Sequence, residues 1–211
     1  MITLMNVEKT IKKQLVLKNV NAIFERGKIY GLIGKNGSGK TMLLRAIAGL
    51  IIPTKGEVHI GGHVLHKDIS FAPNCGVIIE NMTLLPQYTA VENLEILSKI
   101  KKVASRDDII KTIQRVGLDP DSNLKVKKYS LGMRQRLNIA QAIFERPDII
   151  LLDEPTNAID DSGVELIYQL LQEERERGTT IIIASHQKEE IAAFCDEVLV
   201  MNEGELQPNG Q

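Results

Sequence analysis

The stretch that decides the fold is GKNGSGKT, at residues 34–41. It matches the pattern G-x-x-x-x-G-K-[ST], in which glycines let backbone N–H groups curl around phosphate oxygens. An apolar run that ends at Ile33 precedes the stretch and predicts a strand. The sequence KTMLLRAIAGLI follows and predicts an amphipathic helix that Pro53 ends. Strand, glycine loop and helix in this order predict a loop that binds the phosphates of a nucleotide.

The residues of this loop and of the first helical turn are the predicted nucleotide-binding residues. Lys40 would reach the β- and γ-phosphates, and the hydroxyl of Thr41 would be offered to Mg²⁺. The residues assigned to nucleotide binding here are Gly34, Lys35, Asn36, Gly37, Ser38, Gly39, Lys40, Thr41 and Met42.

Two later apolar runs each place candidate metal-binding or catalytic residues at the end of a predicted strand. IILLDEP, at residues 149–155, is typical of a strand buried on both faces of a parallel sheet, and it puts Asp153 and Glu154 at the carboxyl end. Asp153 would hold Mg²⁺ through water, and Glu154 would polarise the water that attacks the γ-phosphate. TTIIIASH repeats the arrangement with His186, which could hydrogen-bond the γ-phosphate and align that water with Glu154.

The remaining periodicity divides the chain into two parts. Short apolar runs alternate with turns over the first sixty residues, and EVHIGGHVL predicts a hairpin closed at Gly61-Gly62. The pattern becomes helical from about residue 81 and returns to strands after Pro147. We therefore predict a single domain over 1–211, with an α/β lobe of approximately 1–80 and 146–211 and a helical lobe of approximately 81–145.

A second helix start suited to an anion lies in KKYSLGMRQR, at residues 127–136. Ser130 is a good N-cap, and the first-turn N–H groups with the helix dipole favour negative charge. Arg134 and Arg136 would add to that positive field.

In their order, these features resemble the ATP-binding cassette (ABC) ATPase family over essentially the whole chain. YSLGMRQRLNIAQAIFERPDIILLDEPTNAID looks like that family's signature motif running into its Walker B strand and D-loop. The resemblance implies an α/β fold: a P-loop NTPase (RecA-like) core with an N-terminal antiparallel β segment and an inserted α-helical subdomain. It also implies ATP and Mg²⁺ as cofactors, with Glu154, His186 and Lys40 as the catalytic residues.

The family pairs two such domains head to tail. Ser130 and Gly132 of one copy would then meet the γ-phosphate held by Lys40 of the other, and Asp160 would be the D-loop acid that links the two sites. The second copy is expected to be an identical chain, and an integral membrane permease is the second expected partner.

Four positions depart from the family pattern. Glu80 aligns with a Gln at the joint between the lobes, where it would offer an oxygen to Mg²⁺ or to water; Gln87 is a nearby alternative. Ile11 aligns with an aromatic residue beneath adenine. Leu131 and Met133 stand where Gly and Gln are usual. The sequences GVIIEN and YSLGM resemble exporters of the bacitracin- and lantibiotic-immunity type.

The composition of the chain limits which partners and which cellular location are expected. The net charge of the 211 residues is -1, without the basic excess that nucleic-acid binding usually needs, so no nucleic acid is expected. Cys75 and Cys195 form no C-x-x-C pair, which fits a reducing cytosol. No apolar run approaches the ~20 residues that span a bilayer, and no leader opens the chain, so no direct membrane insertion is expected.

The sequence thus predicts the ATP-hydrolysing subunit of an ABC transporter, cytoplasmic and peripheral at the inner face of the cell membrane, with export as the expected direction. The permease would dock in a groove between Gln87 and Leu97, beside Glu80. The alternatives are a soluble ABC ATPase acting on nucleic acid or the ribosome, and a small-molecule P-loop kinase.

Overall fold

The computed structural model describes residues 1–79 and 84–208, so Glu80 and every prediction that concerns it lie outside the described residues. The strands are β1 (Ile2–Ile11), β2 (Gln14–Phe24), β3 (Ile29–Ile33), β4 (Lys55–Ile60), β5 (His63–Val64), β6 (Cys75–Ile78), β7 (Ile149–Asp153), β8 (Thr180–Ser185), β9 (Glu197–Asn202) and β10 (Glu205–Pro208). The helices are α1 (Lys40–Ala48), α2 (Ala90–Lys101), α3 (Arg106–Arg115), α4 (Leu131–Ile143), α5 (Asp161–Glu176) and α6 (Lys188–Phe194), with a 3₁₀ turn at Val126–Lys128.

The central sheet has six strands in the order β10-β9-β3-β8-β7-β6. All neighbours pair in parallel except β9 and β10, which form an antiparallel hairpin at one edge. All five residues of β3 and all six of β8 are buried, because both faces of the sheet are covered. This burial explains the uninterrupted apolar runs in the sequence. The carboxyl ends of β3, β7 and β8 lie side by side, which brings the three predicted strand-end motifs together.

A second sheet of four antiparallel strands has the order β2-β1-β4-β5. It confirms the predicted antiparallel segment near the start of the chain. His59 pairs with Val64 and Ile60 with His63, so the predicted hairpin at Gly61-Gly62 is confirmed.

Three helices, α2, α3 and α4, lie between β6 and β7 in the chain, as the helical periodicity predicted. Thr89 and Ser105 begin α2 and α3 with capping boxes, in which a side-chain oxygen and an acidic residue three positions later each accept a backbone N–H. These helices and α5 cover one face of the central sheet, while α1 and the antiparallel sheet cover the other. None of the helices in the described ranges is long and apolar enough to cross a membrane.

The end of α1 differs from the sequence prediction. The helix stops at Ala48 rather than continuing to Pro53, because Gly49 adopts a left-handed conformation (φ 81°) and its N–H bonds back to the carbonyl oxygen of Ala46. Leu50, which would lie on the apolar face of the longer helix predicted from KTMLLRAIAGLI, is 54% exposed as a result. The glycine cap ends the helix before the proline can act.

Candidate functional site

The glycine loop at residues 34–41 connects the end of β3 to the start of α1. Gly37 and Gly39 have φ values of 80° and 111°, which side chains rarely tolerate. A Cβ on Gly34 would lie 2.3 Å from the carbonyl oxygen of Met201, so the backbone approaches β9 too closely for any other residue. The loop therefore needs its glycines for conformation and for packing.

Two polar groups inside the loop are suited to phosphate. Lys40 is only 6% exposed, and its Nζ donates to the carbonyl oxygens of Gly34 and Lys35 at 2.6 and 3.3 Å. The Oγ of Ser38 is buried and has no hydrogen-bond partner within the described part of the chain. A buried hydroxyl without a partner is costly, and a phosphate oxygen would satisfy it. A cavity of about 360 Å³ adjoins the loop and reaches Asp153 and Glu154.

The predicted metal-binding pair is in contact. The hydroxyl of Thr41 donates to Oδ2 of Asp153 with an oxygen-oxygen distance of 2.6 Å, although the two residues are 112 positions apart in the chain. A hydroxyl and a carboxylate are the oxygen ligands that Mg²⁺ prefers, and the adjacent phosphate loop supplies the setting in which that ion usually binds. The donor set therefore fits Mg²⁺.

Glu154 lies at the centre of a hydrogen-bonded cluster. Its Oε1 is 2.9 Å from Nδ1 of His186, and its Oε2 accepts a hydrogen bond of 3.2 Å from the hydroxyl of Ser185. The backbone at Glu154 is left-handed, with φ of 50°, and its N–H donates to the carbonyl oxygen of Ala184 at 2.8 Å. This uncommon conformation turns the side chain away from the path of β7 and towards the end of β8. A carboxylate held by a histidine at a strand end is suited to accepting a proton from water.

The second predicted anion site is the start of α4. Ser130 is its N-cap, as predicted, and the Oγ accepts from the backbone N–H of Met133 at 3.1 Å. Both Ser130 and Leu131 are exposed, the latter by 66%. The two arginines are engaged nearby: Arg134 donates to the carbonyl oxygen of Tyr129, and Arg136 pairs with Asp160. The helix start is thus formed and accessible, and it lies away from the glycine loop in sequence.

Asp160 is held within its own chain. It precedes α5, and its carboxylate accepts from Nη2 of Arg136 at 2.8 Å and from the hydroxyl of Ser162 at 3.0 Å. The Ser162 hydroxyl and then the Arg136 guanidinium lower the pKa of Asp160 below its usual value. This carboxylate therefore stays charged over the working pH range. Its predicted role between two copies remains a prediction.

The residue aligned beneath adenine lies apart from the loop cavity. Ile11 ends β1 at the tip of the β1–β2 hairpin and is 37% exposed, and it is not among the described residues that line the cavity. Val16, on the next strand, does line it, and its carbonyl oxygen approaches Gly39. The predictions for Ile11 and for the exposed Lys35 and Asn36 stay predictions.

Two features of the site were missed by sequence reasoning. The β9–β10 turn supports the glycine loop, because the N–H of Gly204 donates to the carbonyl oxygen of Ser38 at 2.8 Å. Gln135 on α4 reaches the backbone next to Glu154. Gly204 in EVLVMNEGEL indicates a turn, but the sequence does not show that this turn contacts the glycine loop. Gln135 has no feature in the sequence that distinguishes it from other polar residues on a helix.

The fold and this site define a P-loop nucleoside triphosphatase. A sequence profile described as ABC transporter matches residues 17–157, which is more than half of the chain. The chain belongs to the ABC transporter ATP-binding proteins, and it is an ATPase that binds ATP.

Two curated relatives illustrate this membership. The uncharacterized ABC transporter ATP-binding protein YybJ of Bacillus subtilis (strain 168) is 61% identical over 207 residues, covering 98% of this chain and 95% of the relative. The bacitracin transport ATP-binding protein BcrA of Enterococcus faecalis is 38% identical over 203 residues, covering 95% of this chain and 66% of that protein.

A solved structure matches the whole fold. It is the dimeric, post-hydrolysis state of the ATP-binding cassette MJ0796 bound to ADP and Pi, with a TM-score of 0.88 and 31% identity over 99% of this chain and 98% of that one. The predicted fold class, with its P-loop core, antiparallel segment and helical insertion, is confirmed.

Proposed function

We propose that two copies of this chain close around two Mg·ATP and drive a separate membrane permease. The observation that carries the proposal is the unequal completeness of the two anion sites. The glycine loop holds Lys40 and Ser38 in its interior and has Glu154 and His186 beside it. The start of α4 presents only the N-cap Ser130 and the first-turn N–H groups, and Ser130 is exposed to solvent. In a head-to-tail pair each of the two sites would complete the other, and the MJ0796 cassette, which has the same fold, is dimeric.

In the proposed reaction the residues of this chain have separate roles. Lys40 and the loop N–H groups stabilise the charge that develops on the γ-phosphate. Thr41 and Asp153 bind Mg²⁺, which when bound neutralises phosphate charge and orients the γ-phosphate. Glu154 accepts the proton of the attacking water, and His186 holds that carboxylate and the water in line. Ser130 and Gly132 of the second copy close the open side of the phosphate.

A complementation experiment tests the shared site. The Lys40→Ala and Ser130→Glu variants should each fail to hydrolyse ATP alone, the first for lack of phosphate binding and the second through charge repulsion. When the two are mixed, mixed dimers contain one site with an intact Lys40 and an intact Ser130, so hydrolysis should return. If each chain instead completes its own site, the mixture will be as inactive as its components.

The permease is proposed to dock on an apolar groove beside α2. The groove has a volume of about 450 Å³ and is lined by Leu50, Phe71, Cys75, Leu97 and Ile100, among others. Phe71 is 60% exposed and Ile100 is 78% exposed, while Lys101 and Glu145 form an ion pair at its edge. An amphipathic helix from the cytoplasmic side of the permease fits such a groove. The groove predicted from the sequence lay between Gln87 and Leu97, and Leu97 also lines this apolar groove. The prediction for Gln87 is untested.

Membrane attachment tests the docking surface, and with it the peripheral location at the inner face of the membrane. The Phe71→Asp/Ile100→Asp variant should leave the membrane fraction of cells that contain the natural permease, while the purified chain keeps its ATPase activity. Ile23→Asp is the matched control, because Ile23 is equally exposed, at 60%, on the antiparallel sheet. A double variant that stays in the membrane fraction, or a control that is lost from it equally, would contradict the proposal.

The direction of transport is proposed to be export. The support is the resemblance of GVIIEN and YSLGM to exporters of the bacitracin- and lantibiotic-immunity type, and the relative BcrA is named for bacitracin transport. Cells that carry the protein and its permease should accumulate less of an exported peptide antibiotic than cells with the Glu154→Gln variant.

A further inference from the structure

Helix α4 runs beside the segment of residues 154–160 and touches it at three places. A Cβ on Gly132 would lie 2.8 Å from the carbonyl oxygen of Ala158, so the two backbones are in close contact at the first turn. Gln135 and Arg136, one turn later, bond the segment at its two ends. The helix that begins with Ser130 is therefore attached to the segment that begins with Glu154.

The Gln135 side chain bonds the backbone beside Glu154. Its Nε2 donates to the carbonyl oxygen of Pro155 at 3.0 Å and lies 3.4 Å from the carbonyl oxygen of Glu154. Because carbonyl oxygens only accept, the amide nitrogen must face them. The amide oxygen of Gln135 lies 3.5 Å from Nδ2 of the buried Asn138, which favours the same orientation.

The other end of the segment is fixed by Arg136. Its guanidinium pairs with Asp160 and lies between two glycines, where a Cβ on Gly117 would come within 2.7 Å of Nη1 and one on Gly163 would nearly overlap Nη2. The side chain is 19% exposed and so is held more firmly than a surface arginine. Both ends of the segment thus depend on the position of α4.

Glu154 needs such support. A left-handed backbone at a non-glycine residue is strained and persists only where its surroundings fix it. Its N–H is held by Ala184 of β8, and its carboxylate by Ser185 and His186. Gln135 fixes the carbonyl side of the same residue, and it lines a cavity of about 290 Å³ that also reaches Asp153.

We propose that Gln135 is a positioning residue for ATP hydrolysis, which holds the carbonyl groups of Glu154 and Pro155 and so directs the Glu154 carboxylate towards the attacking water. The inference rests on the proposed role of Glu154 as the base. Helix α4 then has two roles, because the helix that presents Ser130 to the other copy also sets the geometry of the base in its own chain.

Two variants of Gln135 test this role. Gln135→Met keeps the length of the side chain and removes the donor, and Gln135→Glu keeps its shape and replaces the donor by an acceptor. Both should lower kcat at saturating ATP by about tenfold, because a lost hydrogen bond misaligns the base. The Kd for Mg·ATP, measured in the Glu154→Gln background, should stay within about twofold, since the phosphate loop is not changed.

The split between kcat and Kd separates positioning from mere packing. Gln135→Met keeps the length of the side chain and removes the amide that bonds Pro155, so a role in packing alone would leave kcat normal. A kcat of Gln135→Met within about twofold of normal overturns the inference.

Matched controls complete the experiment. Gln172→Glu, on the exposed face of α5, should leave kcat and the Kd for Mg·ATP unchanged. If Glu154→Gln is inactive but the Gln135 variants hydrolyse ATP at the normal rate, the inference fails while the role of Glu154 stands. If Glu154→Gln itself hydrolyses ATP normally, the proposed base is wrong and the inference falls with it. Equal losses of ATP affinity and of kcat would mark Gln135 as structural and overturn the inference.

Discussion

The glycine loop and the start of α4 are both helix starts suited to phosphate, but the first is enclosed by its own chain and the second is exposed. The loop encloses Lys40, which is 6% exposed, and it packs against Met201 and Gly204 on its far side. At α4, Ser130 satisfies one backbone N–H, while Leu131 projects into solvent with 66% of its surface exposed. The first encloses a binding site within one chain, and the second is an exposed helix start that we propose to meet another chain.

The difference teaches where each function must be measured. Groups enclosed by one chain are expected to determine how that chain alone binds ATP, whereas in the proposed pair the exposed groups act only after two copies meet. Substitutions in the two regions should therefore separate ATP binding by the single chain from ATP-driven pairing.

The largest effect is expected for Lys40→Ala. Removing the buried ammonium should weaken ATP binding to the single chain by about 100-fold or more, because a charge-assisted bond to phosphate is lost. Calorimetry at low protein concentration measures it. Lys111→Ala, an exposed lysine on α3, is the control. Unchanged ATP affinity in Lys40→Ala would mean that the glycine loop is not the ATP-binding site of the single chain.

His186→Ala comes next and tests the catalytic side of the enclosed site. Hydrolysis should fall by about 100-fold, because the Glu154 carboxylate loses its partner at 2.9 Å and the water loses its guide. ATP binding should persist, since the glycine loop is intact. Steady-state phosphate release measures the rate, and His63→Ala, an exposed histidine on β5, is the control. Comparable losses of binding and rate would mean that His186 supports the fold of the site instead.

Ser130→Ala tests the exposed site. The single chain should bind ATP with unchanged affinity, while ATP-driven dimerisation of the Glu154→Gln background should weaken by about tenfold. The lost N-cap also costs about 1 kcal/mol of stability. Ser105→Ala removes an equivalent cap from α3 and should show the stability loss without the dimer defect. A Ser130→Ala variant that loses ATP affinity as a single chain would erase the distinction between the two regions.

The smallest effect is expected for Leu131→Gly. Removing the exposed side chain should let the backbone approach a phosphate more closely and tighten the ATP-driven dimer by about threefold, at a cost of about 0.5–1 kcal/mol in helix stability. Sedimentation velocity measures the dimer. Leu131→Ala removes most of the side chain without the glycine flexibility. Unchanged dimerisation in both variants would mean that Leu131 is only tolerated.

The sequence predicts best those features that local rules determine. Buried parallel strands require apolar runs, and a phosphate loop requires glycines at fixed positions, so β3, β7, β8 and residues 34–41 could be identified from the sequence. The N-cap Ser130 follows a similarly local rule. The predicted end of α1 at Pro53 was wrong, because Gly49 lies nearer than the proline and ends the helix first.

Contacts between distant segments could not be predicted in the same way. Gln135 lies 20 positions from Pro155, and their bond depends on how α4 packs against the sheet. Val16 rather than Ile11 lines the cavity beside the glycine loop because of the path of the β1–β2 hairpin, which the residue types alone do not determine. Such features need the tertiary arrangement, because nothing in the residue types identifies the partner.

The support of the glycine loop by the end of the chain has a consequence for synthesis. Strand β3 pairs with β8 and β9, and Gly204 bonds both Ser38 and Lys18. A ribosome that adds 5–20 residues per second makes the loop roughly 10–30 s before it makes Gly204. During that interval the nascent chain carries the phosphate-binding sequence without the strands that shape it. The first motif to be translated is therefore among the last to receive its contacts, and a chain interrupted before β9 lacks the neighbours that support the glycine loop.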